Sequence, residues 1–403
     1  MKRLWRGTVG FATSIVLNIF LMVQKLNRHR VIIFQVHAAN QIPHIEPIFQ
    51  SFAEHRSIIR VVLCPPKEIA LTKKILGRGA YVWSINTTFF LLFWDIVIAV
   101  DQRMRLPVLN FFGGQRVCIF HGQPTKGNVY SNFNYRYFDC LFFYGPMMKT
   151  YYERQKIEHP EWSHIKTYDV GQAKTDVLFA TNHEAQKIEA RNELRIRDDV
   201  KTVLYAPSFE PCASLAADGL NIIETLRHES SVLIVKPHPS FYRVVDPDDQ
   251  MYAGVPHASE WASTAQQLIK GEQVIFPIDQ PMNTETALAV ADVLITDHSG
   301  IAFDAINLDI PVIYIDCPEF FEVYLPERYG INGQQARQDI ACNAGRDAGV
   351  VVTSIGELKQ AVSDQLDHPM SKQVERATVR KTLLFNQGAA TEAIKQQLLS
   401  LVS

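Results

Sequence analysis

Cysteine is scarce and scattered in this chain, with six residues in 403, at positions 64, 118, 140, 212, 317 and 342, and neither a CxxC pair nor a histidine at zinc spacing. That excludes a disulfide framework and a zinc module, and it suits reduced, mostly buried thiols of a cytosolic protein. Charge of one sign is also lacking. The 40 Lys and Arg stand against 42 Asp and Glu, a net charge of −2, so no basic field exists to hold nucleic acid. Short internal repeats and low-complexity tracts are absent, which excludes solenoids and long disordered linkers. Aspartate clusters of the kind that hold magnesium do not flank the motifs below, so the sequence demands no metal.

No uncharged apolar stretch reaches the ~20 residues of a membrane span. Gly7 to Gln24 comes nearest, flanked by Lys2, Arg3 and Arg6 and by Lys25, Arg28 and Arg30, but it is interrupted by Thr8, Thr13, Ser14 and Asn18. The expectation is an apolar N-terminal helix lying in the membrane interface, with basic flanks on anionic lipid; the alternatives are a helix packed on its own domain and a true span. Positive charge on both flanks argues against a cleaved signal.

What is present is an alternation of short apolar runs with helical segments. The apolar content is 47%, and at ~100 to 200 residues per domain the length suggests two domains. Strands are expected at Val31–Val36, Arg60–Leu63, Asp95–Val100 and Arg116–Phe120, with a helix from Ile45 to Phe52. Near-continuous apolar runs of this length suit a parallel sheet buried on both faces. Phe89 to Trp94 is read as a buried helix leading into the strand at Asp95. After a charged helical stretch from Asn182 to Asp199, strands resume at Lys201–Ala206, Val232–Val235, Gln273–Phe276, Val293–Thr296 and Pro311–Ile315. The expected division is a membrane-associating segment at 1–30, Rossmann-like domains at 31–182 and 183–375, and a C-terminal helix at 376–403. The two α/β halves are expected to face a cleft.

The segment Leu294 to Ala305 stops an apolar run at small polar residues and resumes with helical spacing. A strand, turn and helix start of this kind aims backbone N–H groups and a helix dipole at one point, where Thr296 and Ser299 add hydroxyls. A phosphate fits there, and Asp304, one turn inside the helix, stands where a ribose hydroxyl can reach it. An ordinary capped helix is the plain alternative. Each half also places a histidine just after a strand: His121 in His121-Gly-Gln-Pro-Thr-Lys126, and His238 in Lys236-Pro-His-Pro239. Imidazole can take a proton from an attacking hydroxyl or stabilise phosphate oxygens, and Lys126 can neutralise a phosphate.

These boxes, in this order and spacing, resemble the CDP-glycerol glycerophosphotransferase family, which includes teichoic acid primases and polymerases. His121 to Lys126 is similar to its HG-x-P-x-K box, Gly171 to Leu178 to its G-x-P-R-x-D-x-L segment, and Tyr205-Ala-Pro-Ser208 to its YAPT segment. Lys236 to Pro239 resembles its HP turn, and Thr296-Asp-His-Ser-Gly300 with Phe303-Asp304 its TDYSS…F-D. Gly349 to Thr353 with Glu357-Leu358, and Gln387 to Ala390, resemble its later segments. The chain departs at His298, for tyrosine; Gly300, for serine; Ala173, for proline; and Lys174, for arginine.

The resemblance implies a GT-B fold and transfer of a polyol phosphate from a CDP-activated donor to a hydroxyl acceptor, releasing CMP. It implies His121 as general base, His238 on the phosphate side with Lys126 and Lys236, Thr296, Asp297, Ser299 and Gly300 at the diphosphate, and Asp304 near the ribose. The expected partners are a CDP-polyol donor, a lipid-linked or polymer acceptor and the cytoplasmic face of the membrane, with no nucleic acid; a divalent ion can come with the diphosphate. Two other readings are a GT-B enzyme using a nucleotide sugar and a catalytically silent nucleotide-binding membrane protein.

Overall fold

The computed structural model describes residues 2–77, 79–100, 104, 114–122, 135–179, 183–227, 231–242, 254–269 and 273–402. The chain forms two compact units: Met1–Gly122 with Ser131–Val177 and Leu384–Ser403, and Gln123–Tyr130 with Leu178–Leu383.

The first unit carries seven strands: β1 (Arg30–Gln35), β2 (Ile58–Cys64), β3 (Tyr81–Ser84), β4 (Ile96–Val100), β5 (Gln115–Ile119), β6 (Cys140–Phe143) and β7 (Lys166–Asp169). Their order is β3-β2-β1-β4-β5-β6-β7, and every pairing is parallel. The second unit holds β8 (Lys201–Tyr205), β9 (Ser231–Val235), β10 (Val274–Ile275), β11 (Val293–Thr296), β12 (Val312–Ile315) and β13 (Val350–Val352). Its order is β10-β9-β8-β11-β12-β13, again parallel throughout. Both sheets are doubly wound, each with one switch point where strand order reverses: between β1 and β4, and between β8 and β11. Ligands of such sheets bind outside the carboxyl ends of the strands at that point. All six cysteines are free and buried, as expected.

The N-terminal helix α1 (Lys2–Leu26) packs by one face. Leu17 and Leu21 are fully buried with Val31, Ile33, Leu91 and Trp94, a burial worth ~1.5–3 kcal/mol per side chain. The polar residues that interrupt its sequence have a tertiary purpose. Ser14 Oγ accepts the Phe89 N–H at 2.7 Å, Asn18 Oδ1 accepts the Leu92 N–H at 2.7 Å, and Asn18 Nδ2 donates to the Phe90 carbonyl at 3.0 Å. These bonds satisfy the backbone of an irregular segment, so the helix expected over Phe89 to Trp94 does not form. A side chain at Gly10 would collide with the Phe89 ring, so glycine permits the close approach. Asp95 ties the same region together, accepting the Val31 N–H at 2.7 Å and pairing with Lys25 at 2.7 Å.

The division between units falls at 177/178, a few residues before the expected boundary. The charged helix His183–Leu194 belongs to the second unit. The last helix, Ala390–Val402, returns to the first, where Ile394, Leu398 and Val402 join the core beneath β1, β2 and β4.

Candidate functional site

The switch point of the second sheet gathers most of the motif residues. Strands β9, β8 and β11 lie side by side and deliver, respectively, the Lys236–Pro239 turn, the Ala206–Ser208 turn and the Thr296–Gly300 turn to one edge. Hydrogen bonds lock the turns together: the Lys236 N–H donates to the Tyr205 carbonyl at 2.8 Å, the Ala206 N–H to the Ile295 carbonyl at 2.9 Å, and the Thr296 hydroxyl to the Ala206 carbonyl at 2.7 Å.

Asp297 is the staple of this edge. Fully buried, it accepts the Ser208 and His298 N–H groups on Oδ1 (2.9 and 2.7 Å) and the Ser214 N–H and hydroxyl on Oδ2 (3.0 and 2.8 Å). Burial raises its carboxyl, but His298 and these hydrogen bonds outweigh that and hold it below the usual range. Thr296 and Asp297 were expected to meet the diphosphate. Both are instead committed to the scaffold, because a fully buried side chain whose donor or oxygens are already engaged serves the turn.

His298 is buried with them. Its Nε2 lies 2.9 Å from Glu210 Oε2, and its ring stacks on Phe320 at 3.6 Å between centroids. Glu210 in turn accepts the Ser208 hydroxyl. Glu210 was not legible as part of the site, because its partner lies 88 residues away in sequence. Asp297, His298 and Cys317 are the only metal-type group among the described residues. Burial pushes the Cys317 thiol far up, and the Asp297 oxygens are engaged, so the cluster reads as a hydrogen-bonded core.

Ser299 and Gly300 are half-buried and lead into the helix Ile301–Asn307, with Asp304 in its first turn. Gly300 caps that helix without a side-chain hydrogen bond, and the Ala302 and Phe303 N–H groups donate to the Ser299 and Gly300 carbonyls at 3.2 and 3.1 Å. His238 is half-buried, stacked on Phe209 at 4.6 Å between centroids. The Ser240 N–H donates to His238 Nδ1 at 3.2 Å. A ring nitrogen that accepts a backbone N–H is unprotonated in the neutral imidazole, so the proton sits on Nε2 as a donor. Lys236 is buried beside it in sequence.

In the first unit, His121 stands exposed just past the end of β5. His44, in the helix α2 (Ile42–Ser51), faces it edge-on with ring centroids 6.3 Å apart. Lys126 lies outside the described residues.

Residues 161–324 match the family model described as CDP-Glycerol:Poly(glycerophosphate) glycerophosphotransferase. The matched segment takes in the Gly171–Leu178 box and all three turns at the β9-β8-β11 edge, while His121 lies before it. No curated protein matches the chain by sequence. Among solved structures, the wall teichoic acid polymerase TagF superposes with a TM-score of 0.64 at 14% identity, covering 100% of this chain and 98% of that one. The S. aureus MnaA–UDP co-structure gives 0.54 at 13% identity, over 92% of this chain and 97% of that one. The Neisseria meningitidis UDP-GlcNAc 2-epimerase bound to UDP-GlcNAc gives 0.55 at 12% identity, over 92% and 100%. These likenesses establish the fold, a GT-B-type pair of α/β domains.

Proposed function

We propose that this protein transfers glycerol phosphate, or a related polyol phosphate, from a CDP-activated donor to a hydroxyl acceptor and releases CMP. The family match over residues 161–324 carries this reading. TagF, whose fold the chain shares, has been solved after soaks with CDPG, and the reading places this protein in synthesis of a teichoic-acid-like or capsular polymer.

In this scheme the donor diphosphate sits on Ser299, Gly300 and the helix start behind them, with Asp304 at the ribose. His121 takes the proton from the acceptor hydroxyl, whose oxygen bonds to the phosphorus bearing the polyol as the bond from that phosphorus to the CMP oxygen breaks. His238 Nε2–H and Lys236, with Lys126, answer the charge on the phosphate oxygens. Catalysis of this type rests on positioning and charge stabilisation. The scheme needs no resident metal, and a divalent ion would enter with the diphosphate.

The acceptor would be lipid-linked or polymeric, which suits a peripheral protein at the cytoplasmic face of the membrane. Among the described residues no helix is long and apolar enough to cross a membrane. The face of α1 that is not packed exposes Phe11, Ile15, Val16, Ile19, Val23 and Leu26. These positions recur at helical spacing and form one apolar stripe, which fits an interfacial helix.

Release of CMP or UDP should be measured with CDP-glycerol, CDP-ribitol and UDP-sugars, using membrane extract as acceptor and His121→Ala as control. Release from a CDP-polyol, lost in the variant, is the expected result. Release of UDP would move the protein to the nucleotide-sugar reading, and donor binding without turnover would make it a silent binding protein.

A further inference from the structure

His44 is the residue of the first unit whose chemistry is least explained by packing. It occupies the third position of α2, which enters from β1 through a short turn, and it is only 6% exposed. Its Nδ1 is buried with no hydrogen-bond partner. A buried polar atom left unpaired is destabilising, and an apolar ring would fill the same space without that cost. The surroundings are polar and cationic. His121 lies edge-on at 6.3 Å between centroids, and Lys174, from the turn after β7, acts electrostatically on His44. Burial, Lys174 and His121, in that order, keep the His44 imidazole neutral. Two residues before Lys174, Gln172 is 5% exposed and buries a second unpaired oxygen, Oε1. Three elements thus bring an uncharged imidazole, a second imidazole and a lysine to one edge of the first sheet, where His44 Nδ1 and Gln172 Oε1 are unpaired.

We propose that His44 is a further residue of the acceptor site: beside His121 and Lys174, it hydrogen-bonds an acceptor end that carries a hydroxyl next to a phosphate, as a terminal glycerol phosphate does. The proposal rests on the transferase reading and adds to it a recognition role. His121 takes the proton of the attacking hydroxyl, Lys174 holds the neighbouring phosphate by charge, and His44 orients the acceptor without competing for the proton. A neutral imidazole suits that task, because it donates from one nitrogen, accepts at the other and adds no charge beside the base. It also gives the unpaired Nδ1 a partner when the acceptor is bound.

Glycerol 3-phosphate serves as the probe. Its binding to the full-length protein is followed by the imidazole NMR signals of His44 and His121, assigned with His44→Asn and His121→Asn. The bound probe should shift the His44 signal. His44→Phe, which keeps ring volume but removes both nitrogens, should weaken probe binding about tenfold or more, and Lys174→Met should act in the same direction. Affinity for CDP should be unchanged in both. In turnover, His44→Phe should raise the acceptor KM with the donor KM unaltered. Unchanged probe affinity and acceptor KM in His44→Phe would overturn the proposal, as would a wild-type protein that fails to bind the probe even at high concentration. Should His44→Phe not fold, His44→Asn and Lys174→Met decide by the same measurements. If wild type releases no CMP with any acceptor, the transferase reading falls, while the NMR titration still judges the glycerol phosphate subsite by itself.

Discussion

At the scale of single residues, the two histidines after β5 and β9 have different demands placed on them. His121 is exposed, which suits the base role proposed for it; on that proposal its replacement by alanine should lower CMP release at least ~100-fold while leaving CDP affinity intact. His238 is set on Phe209 with its Nδ1 occupied by the Ser240 N–H. His238→Ala should therefore weaken donor binding as well as turnover, measured as donor affinity by calorimetry beside the rate. Unchanged binding and rate would remove His238 from the phosphate side. Asp297 yields a prediction about stability. With four hydrogen bonds accepted in a buried position, Asp297→Asn should cost ~3 kcal/mol or more, read from denaturant unfolding. Its lowered carboxyl contributes stability that is present above the unfolded value of about 3.9 and is lost as pH falls through the lower native value. His44 acts over a higher window. Held neutral in the native protein, it leaves the unfolded chain to take up a proton below about pH 6.5, so stability declines as pH falls through that region. Denaturant midpoints should drop from about pH 7 to about pH 5, and drop less in His44→Phe.

At the scale of elements, strands buried on both faces were legible, and the two edge strands of the first sheet were not. The runs at β1, β2, β4, β8 and β11 are apolar at nearly every position because helices cover both sides of a parallel sheet. Tyr81–Ser84 and Lys166–Asp169, at the two edges of the first sheet, mix exposed and half-buried residues, so no apolar run announces them. Cys140–Phe143 is fully buried but only four residues long, too short to separate from a turn of buried helix. The N-terminal helix packs on its own domain by Leu17 and Leu21 and exposes an apolar stripe elsewhere. Ile15→Glu with Ile19→Glu should abolish flotation with anionic vesicles while leaving the thermal midpoint within a few degrees. Undiminished flotation would refute the lipid-facing role. Asn18→Ala, by contrast, should destabilise the protein by ~1–3 kcal/mol, because two backbone groups of the Phe90–Leu92 segment lose their partner.

At the scale of the whole molecule, the chain visits the first unit, builds the second and returns, so the last helix closes a core begun by the first strands. Removing Ala390–Val402 should uncover the apolar surface that Ile394, Leu398 and Val402 cover and unfold the first unit at lower denaturant, while the spectroscopic signal of CDP binding to the second unit persists. Sequence alone settled the α/β class, the two-unit plan and the positions of the Thr296–Gly300 turn and both strand-end histidines, because parallel strands demand apolar runs and turns demand small polar residues, and these are local requirements. Tertiary structure decided which polar residues of the turn are buried and hold the scaffold and which stay partly exposed. Thr296, Asp297 and His298 sit beside Ser299 in sequence, yet they are spent on Ala206, Ser208, Ser214 and Glu210, partners some 83 to 90 residues away. A side chain's free hydrogen-bonding capacity is set by what the fold brings to it, and no local pattern records that.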